Sequence, residues 1–138
     1  MPAIPTADLV ATLTALISNM LTTCKVHLYT ALANPIGPNS VLSDFTEANF
    51  IGYSSKTAAF NPAYINAQGQ AVSDSPLLQW QPTATTTPNV VLGFYVTDSA
   101  SAILLWAGPL PNPQNMVQVT DALALVLQYV LQPPSPPY

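Results

Sequence analysis

The sequence predicts a mainly β protein: an antiparallel β-sandwich or jelly-roll-like barrel carrying one N-terminal α-helix. Three observations predict it. Apolar residues recur at helical spacing in one early stretch; from Cys24 onward the apolar period is two, in short runs; and Pro, Gly, Asn, Asp and Ser punctuate those runs about every dozen residues. One domain over 1–138 accommodates all of it, with a helix at 6–22, a sandwich at 24–131 and a proline-rich tail at 132–138.

The helix is read from Leu9, Val10, Leu13, Leu16, Ile17, Met20 and Leu21, which fall on one face behind Pro5 and a capping candidate, Thr6. A helix with one apolar side needs a partner, either a sheet or the same helix on another copy. In "CKVHLYT", Cys24, Val26 and Leu28 alternate with Lys25, His27 and Tyr29, the pattern of a half-buried strand. The loop "ANPIGPNS" follows, and "SDFTEANFIGY" at 43–53 then reads as a short helical turn that Asp44 and Glu47 open and Phe45 and Phe50 pin to the core.

Further strands are expected in "SSKTAAF" and on either side of "AQGQ", the tip of a hairpin. In "LLQWQPT", Leu78 and Trp80 face away from Leu77, Gln79 and Gln81. "NVVLGFYVT" and "AILLWAG" form a hairpin whose turn, led by Asp98, is expected to be type I without a positive φ. "PLPNPQN" reads as a proline-broken link. The last strands are "MVQVT" and "LALVLQYVL", the latter apolar on both faces and therefore expected to be covered on both.

Charged residues make up 6% of the chain, against about 25% in an average soluble domain. Two basic residues, Lys25 and Lys56, against six acidic ones leave a net charge of −4, which disfavours nucleic acid and anionic membrane as partners. The apolar runs are too short or too interrupted to span a bilayer. A surface this poor in ions resists association weakly, so much of it is expected to meet protein.

Candidate chemistry is sparse. Any His-dependent mechanism must use His27, the only histidine, and on a strand it points away from Cys24; a solvent-facing or interface position is the simpler expectation. Cys24 itself reads as a small buried hydrophobe. Asp44 and Glu47 could form a hydrolase pair, but a helix start accounts for them. No spacing suggests a metal site, no glycine-rich phosphate loop exists, and no cofactor is implied. Trp80, Trp106, Tyr95 and Tyr129 could build a sugar platform, although their apolar strands favour core packing. "PPSPPY" reads as a stiff extended tail able to lie along a neighbour.

At "VHLYT", "LSDFTEANFIGY" and "GFYVTDSASAILLWAG" the chain resembles a diffuse group of small proteins encoded among the structural genes of tailed bacteriophages. That group commonly has a glycine after the hairpin aspartate, where this chain has Ser99, Ala100 and Ser101, and its simpler members lack the N-terminal helix. The resemblance implies a virion-associated structural protein, a capsid decoration or a minor capsid or tail component, and lends no catalytic residues. The alternative is a receptor- or carbohydrate-binding module of a tail or fibre. The expected partners are copies of the chain, a trimer being the candidate assembly, and a major capsid or tail protein. Leu9, Leu13, Leu16, Ile17, Met20 and Tyr138 are the candidate assembly contacts.

Overall fold

A computed structural model of the chain describes residues 6–16 and 23–131. In chain order these form α1 (Thr6–Leu16), β1 (Cys24–Leu32), β2 (Phe45–Glu47), β3 (Lys56–Ala58), β4 (Tyr64–Ile65), β5 (Ala71–Asp74), β6 (Leu78–Trp80), β7 (Val90–Thr97), β8 (Leu104–Asn115), β9 (Leu123–Leu125) and β10 (Gln128–Leu131). The fold is mainly β, antiparallel and sandwich-like, with no closed barrel among the described residues. Its largest sheet runs β2-β1-β7-β8, with β3 sharing the β2 edge of β1; β10-β5-β4 and β6-β9 form two smaller sheets.

β1 organises the large sheet because both its edges are used. On one side Lys25 to Tyr29 pair with Thr97 to Gly93 of β7. On the other, Cys24–Val26 pair with β3 and Tyr29–Leu32 with β2. Between those two short ladders, the Leu28 N–H donates to the Tyr53 hydroxyl at 3.1 Å and the Leu28 carbonyl accepts from the Ala48 N–H at 2.9 Å. No buried backbone group of Leu28 is thereby left to desolvation.

One face of this sheet, with Val26, Leu28 and Val96, packs on Leu78 and Trp80 of β6, Leu123 of β9, Leu127 and Met116. Each fully buried aliphatic side chain here stabilises by about 1.5–3 kcal/mol. The opposite face is buried too, through Tyr29, Phe45 and Tyr95 with Leu42, Leu92 and Leu104 packed around them. β1 is therefore not the half-buried strand its alternation predicts, because aromatic residues on the second face supply a core of their own. α1 packs elsewhere: Leu13, with Val10 one turn earlier, lies against Ala71, Ala63 and Leu131 at the three-stranded sheet. The helix includes Thr6, the expected cap; residues 17–22 and the tail 132–138 lie outside the described residues.

The hairpin at "AQGQ" is present, with Asn66 Oδ1 accepting from the Gln68 and Gln70 N–H groups and Gly69 at φ 75°. The alternation of Leu78 and Trp80 inward against an exposed Leu77 also holds. Further expectations are corrected. Residues 43–53 are not a helical turn: a single 3₁₀ turn at Leu42–Asp44 leads directly into β2. The prolines at 109, 111 and 113 do not end β8. Pro109 pairs with Gly93, and the residues up to Gln114, which pairs with Val91, form a bulge in what is an edge strand, where missing N–H groups are tolerated.

"MVQVT" is a turn rather than a strand, because Asp121 Oδ2 accepts the Val117 and Gln118 N–H groups at 2.9 and 2.8 Å. "LALVLQYVL" splits into β9 and β10, which pair with β6 and β5 in different sheets. Its Leu123, Leu127 and Tyr129 side packs inward as expected, whereas Val126 is 57% exposed, so this chain covers one face only.

Candidate functional site

A linked set of polar side chains is built where β1, β2 and β7 meet. Residues 25, 27 and 29 of β1 share a face, and antiparallel pairing puts Tyr95 beside His27 and Thr97 beside Lys25. The 3₁₀ turn reverses the chain so that β2 returns along β1 and sets Glu47 opposite Tyr29. His27 Nδ1 lies 2.7 Å from Glu47 Oε2, and His27 Nε2 lies 2.9 Å from Thr97 Oγ1. The imidazole stacks on Tyr95 with centroids 4.6 Å apart and planes 7° off parallel, and Tyr95 stacks in turn on Phe45 at 4.7 Å.

Glu47 Oε2 also accepts a 2.6 Å hydrogen bond from the Tyr53 hydroxyl. Burial, and then that bond to the carboxylate, pushes the Tyr53 phenol well above its ordinary range. Burial and the nearby Glu47 charge do the same to Tyr95. Both phenols thus stay neutral donors or acceptors at any ordinary pH. The set ties three segments together: Tyr53 and Glu47 come from one connected stretch, His27 from β1 and Thr97 from β7.

A carboxylate, an imidazole and a hydroxyl in a row are the components of a nucleophilic triad. Here the row is closed. His27 is 4% exposed and Thr97 0%, so no substrate atom reaches the hydroxyl without the sheet opening. This burial corrects the solvent-facing or interface position expected for His27. Alternation along β1 sends His27 away from Val26 and Leu28 correctly, but the second aromatic cluster that covers that face comes from Phe45 and Tyr95, distant in sequence.

The remaining candidates separate. Asp44 and Glu47 are not a pair. Asp44 Oδ1 accepts from Asn34 Nδ2 at 2.9 Å and Oδ2 from the Val41 N–H at 3.1 Å, which together hold its carboxyl below the usual carboxylate range. Cys24 is buried, donating to the Ala58 carbonyl at 3.3 Å, and burial pushes its thiol up to about 11. Trp80 and Tyr95 are core residues, while Trp106 meets Tyr129 and Phe60 edge-on at 5.1 and 5.5 Å. No group of three or more His, Cys, Asp or Glu side chains able to hold a metal is present among the described residues.

Of the candidate assembly contacts, Leu13 is fully buried against its own chain. The α1 backbone carries Leu9 and Leu16, whose side chains lie outside the description, as do Ile17, Met20 and Tyr138 altogether. Large apolar side chains are nevertheless open to solvent elsewhere: Leu77 is 59% exposed, Ile103 58% and Val41 53%. No described helix is long and apolar enough to cross a membrane. Compared with protein-family models, curated proteins and solved structures, the chain matches none.

Proposed function

We propose that this chain is a non-enzymatic structural protein of a virion, an oligomer that decorates a bacteriophage capsid or forms a minor component of the capsid or tail. Its partners are copies of itself, a trimer being the first assembly to look for, and the major capsid or tail protein. The observation that supports this is the state of the surface. Leu77, Ile103 and Val126 are each more than half exposed, at sites spread along the chain.

Ionic groups do little to oppose association there. Asp44, Glu47, Asp74, Asp98 and Asp121 all accept hydrogen bonds from their own chain, so the few carboxylates are already committed to folding. Single exposed apolar side chains are ordinary in themselves; it is the shortage of charge, 6% of the chain, that leaves this surface resisting association weakly and supports its burial against neighbouring protein. The resemblance of the 26–53 and 93–108 segments to phage structural proteins supports the virion setting. The receptor- or carbohydrate-binding reading has less support, because Trp80 and Tyr95 are buried and Trp106 and Tyr129 pack on one another.

Light scattering of the purified chain at micromolar concentration, with co-sedimentation against procapsids, tests the proposal. A closed oligomer that sediments with shells is the expected result. A monomer that ignores procapsids overturns it.

A further inference from the structure

The Thr97 hydroxyl stands between His27 Nε2, at 2.9 Å, and the Asp98 carbonyl oxygen, at 3.0 Å. A hydroxyl has one proton and can donate to only one of them at a time. When Nε2 carries a proton, the ring donates to Thr97 Oγ1 and the hydroxyl donates onward to Asp98. When Nε2 is bare, the hydroxyl must turn to donate to the ring, and the Asp98 carbonyl loses that bond. The Nδ1–H bond to Glu47 is the same in both arrangements.

The Asp98 carbonyl also closes the β7–β8 hairpin, accepting the Ser101 N–H at 3.1 Å. We propose that the Thr97 hydroxyl is a two-position switch that couples the protonation of buried His27 to the hairpin turn at 98–103. Protonation of the ring gives the Asp98 carbonyl a second hydrogen bond beside the one from the Ser101 N–H, and deprotonation withdraws it. The turn ends at exposed Ile103, so the switch acts on a surface feature from inside the sheet.

The titratable groups facing His27 are few. Glu47 comes from β2, with Tyr53 bonded to the same carboxylate oxygen; Tyr95 stacks from β7; Lys25 lies two residues back and Tyr29 two residues on along the same face of β1. Asp98 faces the switch through its carbonyl, while its carboxylate accepts from the Ala102 and Ile103 N–H groups.

Nuclear magnetic resonance titration tests the coupling, and a single histidine makes the ring signals unambiguous. The ring nitrogens of His27 are followed together with the Asp98 carbonyl carbon and the Ser101 amide. In the unmodified chain and in Thr97→Ser, the turn signals are expected to move with the ring and share its midpoint. In Thr97→Val the turn signals stop following those of the ring. In Asp98→Asn, which keeps the carbonyl and removes the carboxylate, tracking persists. In His27→Gln the turn signals stay still over the same range, a readout that survives if Thr97→Val does not fold. Turn signals that ignore the ring in the unmodified chain, that follow it equally in Thr97→Val, or that lose it in Asp98→Asn overturn the proposal.

Discussion

The phenol of Tyr29 occupies the space that a side chain on Gly93 would need. The two residues are cross-strand partners on β1 and β7, and a Cβ at position 93 would stand 2.5 Å from the Tyr29 hydroxyl oxygen and 2.6 Å from the ring carbon bearing it. The Gly108 carbonyl of β8 closes the same space from the other side. A carbonyl fixed in the ladder cannot yield as a side chain can. Gly93→Ala is therefore expected to cost about 2–3 kcal/mol, the upper part of the range for overpacking. Urea denaturation checks it: the midpoint falls with an unchanged slope.

Ser101 does in the second hairpin what Gly69 does in the first. Each is the i+3 residue whose N–H closes its turn, and Ser101 adopts φ 57° where Gly69 adopts 75°. The left-handed region costs a residue bearing a Cβ roughly 1 kcal/mol, which glycine avoids. Ser101→Gly is expected to raise stability by somewhat less than that, because glycine also loosens the unfolded chain. A rise of a few degrees in Tm by calorimetry is the check; a fall would mean that the serine is compensated by a contact of its own.

The same turn shows where the sequence is legible. Asp98 as turn leader could be read from its position between two apolar runs, and its carboxylate does accept the Ala102 and Ile103 N–H groups. The expectation of a turn without a positive φ is wrong: Ser101 at φ 57° ends it in the left-handed region, and nothing in "DSAS" marks such a residue. Period-two patterning identified β1, β6 and β7 because side-chain alternation is local physics. The splitting of "LALVLQYVL" between two sheets was hidden, because partner choice depends on β5 and β6, some fifty residues away by register. The His27 array was invisible for the same reason: Glu47, Thr97 and His27 become neighbours only through strand pairing.

Cys24 is expected to be chemically quiet in the folded chain. With its thiol near 11 and its sulfur buried, only about a thousandth of it is thiolate at pH 8. Ellman's reagent should react at the rate of global opening and completely once urea unfolds the chain. Rapid reaction of the native protein would mean that β1 and β3 separate on their own.

Asp44 and Asp121 give stability that acid removes. The Asn34 amide and the Val41 N–H hold the Asp44 carboxyl down, and the Gln118 and Val117 N–H groups do the same for Asp121. A group with a lowered folded pKa stabilises above its ordinary value, about 3.9, and loses that contribution as pH falls through the folded value. The two differ under substitution by Asn. Asp121 uses one oxygen for both bonds, which an amide oxygen can replace; Asp44 uses both oxygens, so an amide nitrogen must face a donor. Asp44→Asn is expected to destabilise more than Asp121→Asn at neutral pH, with both differences shrinking in acid. Urea midpoints at neutral and acidic pH measure this.

The bond between His27 and Glu47 should be strongly asymmetric to cut. Removing the ring with His27→Leu leaves Thr97 Oγ1 fully buried and short of a partner, although the hydroxyl can still donate to the Asp98 carbonyl. It also strips the stacking partner from Tyr95. The combined loss is expected to be about 2–3 kcal/mol, in line with breaking a buried hydrogen-bonded set. Glu47→Gln keeps an oxygen able to accept from both His27 and Tyr53 and removes only the charge, and the side chain is partly open to water. Its cost is expected to stay near 1 kcal/mol. In the double variant the two losses should not add, because the leucine has already removed the group that Glu47 serves. Additive losses in the urea midpoints would show that Glu47 stabilises the fold through Tyr53 rather than through His27.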